Sequence, residues 1–499
     1  MLNGNESTEI LSTGFRESST QFVDLALKDK LHRLKPYDDP RYNSMDDMGN
    51  GRLFADVFKD VARYNTTSKQ WYVYDGKIWK EDVGGMEVSK LAKRLSIALY
   101  LYAGEIDCAE TYRRYAAKLG SRHTREIMLK DAEDINYITN EMLDTDTDLF
   151  NCQNCIIDLC TFEAFAHDPK YLLSKVSSVV YDRNAVSEDF DRFINEVMQN
   201  DAEKIEYLQK AFGYALTGDT ALEEMYILYG ATTRNGKSTL IETISFMMGG
   251  PEGYSMTMSP ESLAQKPKDS RQASGDIARL NGCRFLNASE PPKRMIFNTE
   301  LLKILLGRDK ITARHLYQRE EEFYPIFKLF MNTNYLPVIN DDTVFSSGRI
   351  KVITFDRHFS EKEQDRDLKE RLRSCSNVSG IFNWCLDGLR KYRRYGMRPP
   401  DAVKNATEEY RQKSDKVGNF FMECMVSSDK STPAKEVYQA YAKWCSDNGY
   451  GTENKGNFFA DLRSKSLLTE TATVAGRTLH NVVVNFEIDS DMADTHPFL

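Results

Sequence analysis

The sequence predicts a multidomain α/β protein, and three observations predict it. The apolar run Tyr226–Tyr229 ends in a polar, glycine-containing turn, Gly230-Ala-Thr-Thr-Arg-Asn-Gly-Lys-Ser-Thr239, and continues as an amphipathic helix to Met248. Further apolar runs follow that turn, each closing on a polar residue where a strand would end. On either side lie an aromatic hairpin embedded in helical segments and a helix–helix–hairpin pattern near the C-terminus. At 499 residues the chain is too long for one core and natural for about three domains.

Residues 1–44 are polar, with one helical stretch, Phe22–Leu34, stopped by Pro36 and Pro40. They read as a flexible N-terminal appendage. Residues 45–188 read as an α+β helical module. Gly49-Asn-Gly-Arg-Leu53 opens on a glycine turn and continues as a helix to Val61. Trp71–Trp79 is a hairpin with Asp75-Gly76 as its tight turn. Helical segments run to about Met142, and Phe150–Val180 is rich in strands. Cys152 and Cys155 have the spacing of half a zinc site, with Cys160 and His167 near. No second pair at structural-zinc spacing accompanies them, so they read as packed small hydrophobes. Asp144-Thr-Asp-Thr-Asp148 resembles the paired carboxylates of a nucleotidyl-transfer site. No further carboxylate on a recognisable sheet joins it, and it reads as a loop.

Residues 189–360 form the expected core. Asp189–Leu216 is helical, with Ile205, Leu208, Phe212 and Leu216 near one face. Strand, loop, lysine and helix in that order is the layout of a phosphate-binding P-loop, in which loop N–H groups and a helix N-terminus face an anion. The expected nucleotide contacts are Ala231, Thr232, Thr233, Arg234, Asn235, Gly236, Lys237, Ser238 and Thr239. Lys237 reaches the β- and γ-phosphates and the Ser238 hydroxyl sits on Mg²⁺, so ATP and Mg²⁺ are the expected cofactors. The motif places its first glycine at Ala231, with Gly230 one place earlier; alanine is sterically close to glycine. Ser255 to Asp276 is a loop region without clear periodicity.

Arg284–Pro291 is a strand ending in Glu290. Ser289 stands where many NTPases place an aspartate, so Glu290 combines metal-holding and catalytic-base roles. Ile326–Pro337 is a third strand running into Asn334, whose amide suits orienting the attacking water or sensing the γ-phosphate; Asn332 is the alternative. Asp341–Arg349 leads into the strand Ile350–Phe355. Arg349 is the kind of residue that reaches a neighbour's γ-phosphate, and a site completed in that way implies an oligomer. Between the second and third strands, Lys310, Arg314, His315, Tyr317 and Arg319 place cations and a ring on one short excursion, suited to the phosphates and base faces of a single strand.

The ordered set of Gly230–Thr239, Glu290, the 309–323 hairpin, Asn334-Tyr-Leu-Pro337 and Arg349 resembles a superfamily 3 DNA helicase, and more narrowly the poxvirus-type and phage/plasmid primase-helicase family. Phe212–Asp219, Lys303–Arg314, Gly49–Leu53, Tyr74–Trp79 and Asn151–Asp158 are similar to it too. The resemblance implies an AAA+-like core in a homo-oligomeric, hexameric ring. It implies ATP between subunits, a pore hairpin gripping single-stranded or forked DNA, and 3′→5′ translocation. It implies a role in replicating a phage or mobile element in the cytoplasm of a bacterial host. Arg314-His315-Leu316 is similar to the basic-histidine pore hairpin of other viral members. Relatives often carry a primase domain upstream, which this chain is expected to lack. Ala231 and Ser289 depart from the pattern.

Residues 361–425 read as a helical, basic connector. Residues 426–488 read as a winged-helix-like domain: Thr432 as N-cap, Pro433 at the first helical position, a second helix Asn457–Lys465, then two strands turning at Ala475-Gly-Arg477. Lys455, Arg463, Lys465 and Arg477 are its candidate contacts to duplex backbone. Residues 489–499 are an acidic tail and a candidate contact for replication proteins.

A net charge of −9 argues against a broad basic face for duplex, though not against a locally basic channel. No apolar run is long enough to span a bilayer, no secretion signal is visible, and nine scattered cysteines suit reduced thiols in a cytoplasm. Two rival readings are an origin-binding initiator or loader with little unwinding, and an unrelated P-loop kinase whose turnover ignores DNA.

Overall fold

The computed structural model describes residues 24–265, 275–293, 295–314, 320–448, 450–474 and 477–489. The chain is a multidomain α/β protein built around one parallel sheet.

The first unit begins earlier than the sequence suggests. Helix α1 (Leu25–Leu34) starts where Asp24 accepts the Leu27 N–H at 3.1 Å. Leu27 and Leu31 are buried in the same cluster as Leu91, Leu95 and Leu99. Residues 24–34 are therefore part of a core, not a flexible appendage; Phe22 and the residues before it lie outside the described residues. Helix α2 (Asp47–Phe58) contains Gly49 and Gly51 instead of following them. The reason is packing: a Cβ on Gly51 would stand 2.7 Å from the backbone of Asp131 at the end of a neighbouring helix.

Strands β1 (Ala62–Asn65), β2 (Gln70–Tyr74) and β3 (Trp79–Glu81) form an antiparallel sheet with Tyr74 opposite Trp79. The expected hairpin is present, with the Asp75 carboxylate accepting the Lys77 and Ile78 N–H groups at 2.9 Å and Gly76 at φ 99°. Helices α3 (Met86–Glu105), α4 (Glu110–Lys118) and α5 (Arg122–Asp131) complete this unit. A second small sheet follows, β4 (Leu149–Asn151), β5 (Ile156–Asp158) and β6 (Ala164–Phe165). Cys152 is buried there and its N–H donates to the Cys155 carbonyl at 2.9 Å. Asp144 accepts the Ser174 N–H at 2.8 Å and ties its loop to the segment around Ser174.

Helices α6 (Glu188–Val197) and α7 (Ala202–Ala215) lead into strand β7 (Met225–Tyr229) and helix α8 (Lys237–Met247). Then come β8 (Ser255–Met258), the single turn α9 (Gly275–Ala278), β9 (Phe285–Ser289) and α10 (Thr299–Leu306). The hairpin β10 (Ile311–Arg314) and β11 (Glu320–Phe323) precedes β12 (Lys328–Thr333), α11 (Thr343–Ser346) and β13 (Ile350–Thr354). The sheet order is β13-β7-β12-β9-β8, all parallel. In chain order that is fifth, first, fourth, third, second. Strand β8 lies in the stretch read as loop; it pairs with β9 at the edge of the sheet. One face of the sheet, with Tyr226, Leu228 and Phe330, packs against α6, α7 and α8; the other, with Ile227, Leu329 and Met331, packs against α10 and the hairpin.

Helix α12 (Leu368–Leu372) is followed by α13 (Cys375–Tyr395) and α14 (Asp401–Ser414), and these are no connector. Where α13 crosses α7, a Cβ on Gly388 would lie 1.9 Å from the Gln209 carbonyl and one on Gly213 would lie 2.3 Å from the Leu389 nitrogen. Two glycines thus let the helix backbones touch, burying Phe382, Cys385 and Leu389 in the central core. Helix α14 lies along the edge strand, where Thr407 Oγ1 accepts the Val352 N–H at 3.0 Å.

The C-terminal unit runs α15 (Lys416–Cys424), β14 (Met425–Pro433), α16 (Ala434–Asp447), α17 (Lys455–Ser464), β15 (Leu468–Val474) and β16 (Arg477–Ile488), with sheet order β14-β16-β15. Strand β14 escaped the sequence reading. Thr432 is not the N-cap of α16: its hydroxyl donates to the Phe486 carbonyl at 2.8 Å, and Pro433 precedes the helix. Residues 475–476 and the tail from 490 onward lie outside the described residues. Among the described residues no helix is long and apolar enough to cross a membrane.

Candidate functional site

The site is built where β7 ends. Gly230 follows that strand, and a Cβ on it would stand 2.1 Å from Asn235 Nδ2 and 2.9 Å from both Lys237 Nζ and the Phe355 carbonyl. The position that must be glycine is thus Gly230. Ala231, like Thr232, Thr233 and Arg234, is exposed. The loop turns back through Arg234 at φ 59° and Gly236 at φ 83°. Asn235 is buried and ties the loop to itself, donating from Nδ2 to the Thr232 carbonyl at 2.7 Å. Gly236 presses on α6, where a Cβ would meet Val197 Cγ1 at 2.4 Å.

Helix α8 begins at Lys237 with Gly236 in the cap position and no side-chain cap bond. Its first N–H groups therefore face out of the helix toward the loop, the arrangement that receives an anion. Lys237 is only 4% exposed. Its ammonium donates to Asn235 Oδ1 at 2.8 Å, to Asn334 Oδ1 at 2.7 Å and to the Gly230 carbonyl at 3.4 Å. Three neutral oxygens hold it, with no carboxylate among them. Burial lowers its pKa to about 8, with the charge of Glu290 acting in the opposite direction.

That shift has a sign that can be checked. Above about pH 8 the free side chain loses its charge, so affinity for phosphate at this loop is expected to fall as pH rises through about 8. The charged form is the one that burial penalises. The anion-free protein should therefore gain stability as pH climbs from about 8 toward the ordinary lysine value of 10.5. Binding of a fluorescent ADP analogue across this range checks the first expectation, and thermal unfolding without nucleotide checks the second. Affinity that stays flat through pH 8 would mean that Lys237 does not contact the phosphates.

The adjacent strand tips bring the other candidates in. Glu290 follows β9 in a left-handed conformation, φ 56°, its N–H donating to the Asn332 carbonyl at 3.0 Å and its side chain exposed. Positive φ is uncommon for a glutamate, though Glu223 adopts it too at φ 52°. Ser238 is exposed and its Oγ lies 3.3 Å from Asn332 Nδ2; Thr239 is half-buried. Lys237, Ser238, Glu290 and Asn334 thus meet around one loop, and Asn332 joins them. The segment after β13 also reaches the loop: the Phe359 N–H donates to the Arg234 carbonyl at 2.9 Å, His358 Nδ1 lies 2.8 Å from the Thr233 carbonyl, and Arg234 pairs with Glu361 at 3.6 Å. This strap is not legible in the sequence, since its contacts join residues over a hundred positions apart.

Arg349 is elsewhere. It precedes β13, whose first residue pairs with Met225 at the start of β7, while the loop leaves from the far end at Tyr229. At ~3.3 Å per strand residue that separation is about 15 Å, so Arg349 does not reach the loop of its own chain. It pairs instead with Glu223, as Lys351 pairs with Glu224 at 3.3 Å, and its buried Nε has no hydrogen-bond partner among the described residues. In the β10–β11 hairpin Arg314 stands opposite Glu320, and Lys310 pairs with Glu322 at 3.3 Å. Ile311, Ala313 and Phe323 anchor the hairpin in the core. His315, Tyr317 and Arg319 lie outside the described residues. Of the candidate duplex contacts, Lys465 is engaged with Asp415 at 2.8 Å and Arg463 donates to Asn481 at 3.2 Å. The Arg477 side chain lies outside what is described.

Residues 51–199 match the family "D5 N terminal like", residues 228–349 a "Family of unknown function (DUF5906)", and residues 412–467 "Poxvirus D5 protein-like". A protein of Acanthamoeba polyphaga mimivirus named "Putative helicase" is 29% identical over 351 residues, 65% of this chain and 36% of that protein. One of Invertebrate iridescent virus 3 with the same name is 22% identical over 506 residues, 84% of this chain and 52% of the other. A "Putative primase" of African swine fever virus is 22% identical over 244 residues, 45% of this chain and 25% of the other. The chain spans about half or less of the length of these relatives. None of the three comes from a phage or plasmid, so they lend nothing to the expected bacterial host. Among solved structures, the apo C-terminal region of NrS-1 has a TM-score of 0.49 and 10% identity, covering 88% of this chain and 99% of that one.

Proposed function

Because the chain belongs to the poxvirus D5-like primase-helicase family, we propose that it is an ATP-driven DNA helicase acting as a ring of identical subunits. The observation that carries this reading is the Lys237 ammonium, held at a glycine-bounded loop by Asn334 from the strand next door. The sheet order supports an AAA+-like P-loop core, in which the first strand lies between the fourth and the fifth. The helix–strand–helix–helix–strand–strand order of residues 416–488 supports a winged-helix-like domain.

In this mechanism the loop N–H groups and Lys237 bind the β- and γ-phosphates of ATP. Ser238 and Glu290 are the residues that would hold Mg²⁺, which supplies charge neutralisation at the phosphates. The exposed Glu290 carboxylate takes the proton of the attacking water. Asn334, already bonded to Lys237, is displaced or engaged by the terminal phosphate and so reports its presence. Arg349 serves the neighbouring subunit. The β10–β11 hairpin, with Lys310, Arg314, His315, Tyr317 and Arg319, grips a single strand in the pore, and translocation runs 3′→5′. A second reading, an origin-binding initiator or loader, rests on the C-terminal domain as a duplex-binding element; it requires little strand separation.

ATPase measured with and without single-stranded DNA, beside unwinding of a forked duplex, separates these readings. Joint Arg314→Ala and His315→Ala substitution should leave basal ATPase intact and weaken single-strand binding by about tenfold or more, given ~1–3 kcal/mol per base contact. Stimulation by single strands should disappear with it. Stimulation that survives would mean the strand is gripped elsewhere.

A further inference from the structure

We infer that Asn332 fills the place of the second acid at the metal, its amide oxygen accepting a hydrogen bond from the Ser238 hydroxyl or from a metal-bound water. The inference rests on the reading of residues 230–239 as the phosphate loop. A hydroxyl bound to a divalent cation becomes a stronger donor and needs an acceptor beside it, a part that P-loop enzymes commonly assign to an aspartate. The residue at that place on β9 is Ser289, and its hydroxyl is already committed: it is bonded to the Asn287 amide of its own strand at 3.0 and 3.2 Å.

The acceptor comes from the next strand. Asn332 pairs in register with Ser289, and its side chain lies on the α8 face of the sheet. Nδ2 lies 3.3 Å from Ser238 Oγ, and Oδ1 is buried with no hydrogen-bond partner among the described residues. The residue is only 3% exposed. As placed, the amide gives its N–H side to Ser238 and leaves its buried oxygen unsatisfied, an arrangement that calls for an explanation. Half a turn of the amide exchanges Oδ1 and Nδ2 and brings the oxygen to Ser238. Asn334, two residues on, points to the same face and takes Lys237, so the two asparagines divide the work: one for the cation, one for the lysine.

An amide carries no charge, so this site should hold Mg²⁺ less tightly than one with two carboxylates. The test measures binding of a fluorescent ADP analogue to the full chain, in EDTA and across a Mg²⁺ titration. Asn332→Ala should raise the Mg²⁺ concentration at half-effect by roughly 10–100-fold, as loss of such supporting groups does, while affinity in EDTA stays unchanged. Asn332→Asp, which adds a charge at the same size, should lower the half-effect concentration below that of the unaltered protein. An unaltered Mg²⁺ half-effect in Asn332→Ala overturns the assignment. If that variant fails to fold, an unchanged or raised half-effect in Asn332→Asp overturns it equally. Failure of the unaltered protein to bind the nucleotide at all would remove the phosphate-loop reading itself.

Discussion

Lys237→Ala is expected to abolish ATP hydrolysis, by at least 10²–10³-fold if the ammonium supplies what a single preorganised donor ordinarily does in a water-poor site. Its surroundings explain why no neighbour can substitute. The ammonium is buried and is the shared donor for Asn235, Asn334 and the Gly230 carbonyl. Removing it deletes the charge proposed to meet the phosphates and also frees the two amides that shape the loop. The fold should survive, because burial already disfavours the charged form and no carboxylate is left unpaired. Turnover measured beside thermal unfolding checks both halves of the expectation. Retained hydrolysis would place the nucleotide at another site.

Arg349→Ala is expected to bind ATP normally and to hydrolyse it some 10³–10⁵-fold more slowly, the range for loss of an arginine supplied across an interface. It should also poison mixed assemblies, each altered subunit silencing its neighbour. A plainer role competes with this one. Arg349 and Lys351 pair with Glu223 and Glu224, which fastens the start of β13 to the start of β7. If that is all Arg349 does, the variant loses thermal stability and keeps its turnover. The unpartnered Nε shows a guanidinium only partly satisfied within its own chain. Mixing Arg349→Ala subunits with Lys237→Ala subunits reads the difference directly: turnover restored in the mixture means that the arginine completes a neighbour's site, and no restoration means that it makes no trans contribution.

How much of this was legible in the sequence depends on whether the signal was local. The loop at Lys237 was, because an apolar strand, a polar turn and an amphipathic helix follow one another without interruption. Glu290 and Asn334 were legible for a similar reason, each standing where a strand runs out. Gly230 was not: only the crowding of Asn235, Lys237 and Phe355 reveals that the glycine requirement sits one place before the motif expects it. Gly49 and Gly51 gave a turn signal, yet both lie within a helix: Gly51 serves a helix crossing at Asp131, and Gly49 makes room for Ser44 in the segment before its own helix. The same substitution of meaning hid the fit of α13 to the core, since Gly213 and Gly388 are far apart in the chain. Strand β8, Ser-Met-Thr-Met, is too short and too mixed to announce itself and is defined by its neighbour β9. Asn332 and Asn334 compete as readings of one strand end, and the structure places both amides beside the loop, Asn334 on Lys237 and Asn332 near Ser238.

One hydrogen bond ties the turn after β12 to the helix that leads into the C-terminal unit. The turn that begins at Asn334 closes at Pro337, whose carbonyl accepts the Tyr410 hydroxyl. Tyr410 sits near the end of α14, a rod of 14 residues and about 21 Å. Past it, Asp415 caps α15 through the Gly418 N–H at 2.8 Å and holds Lys465, at the end of α17, at 2.8 Å. A shift of the Asn334 turn by an ångström therefore has two outcomes: the tyrosine bond breaks, or the rod pivots against the strand edge and delivers a torque to the C-terminal domain.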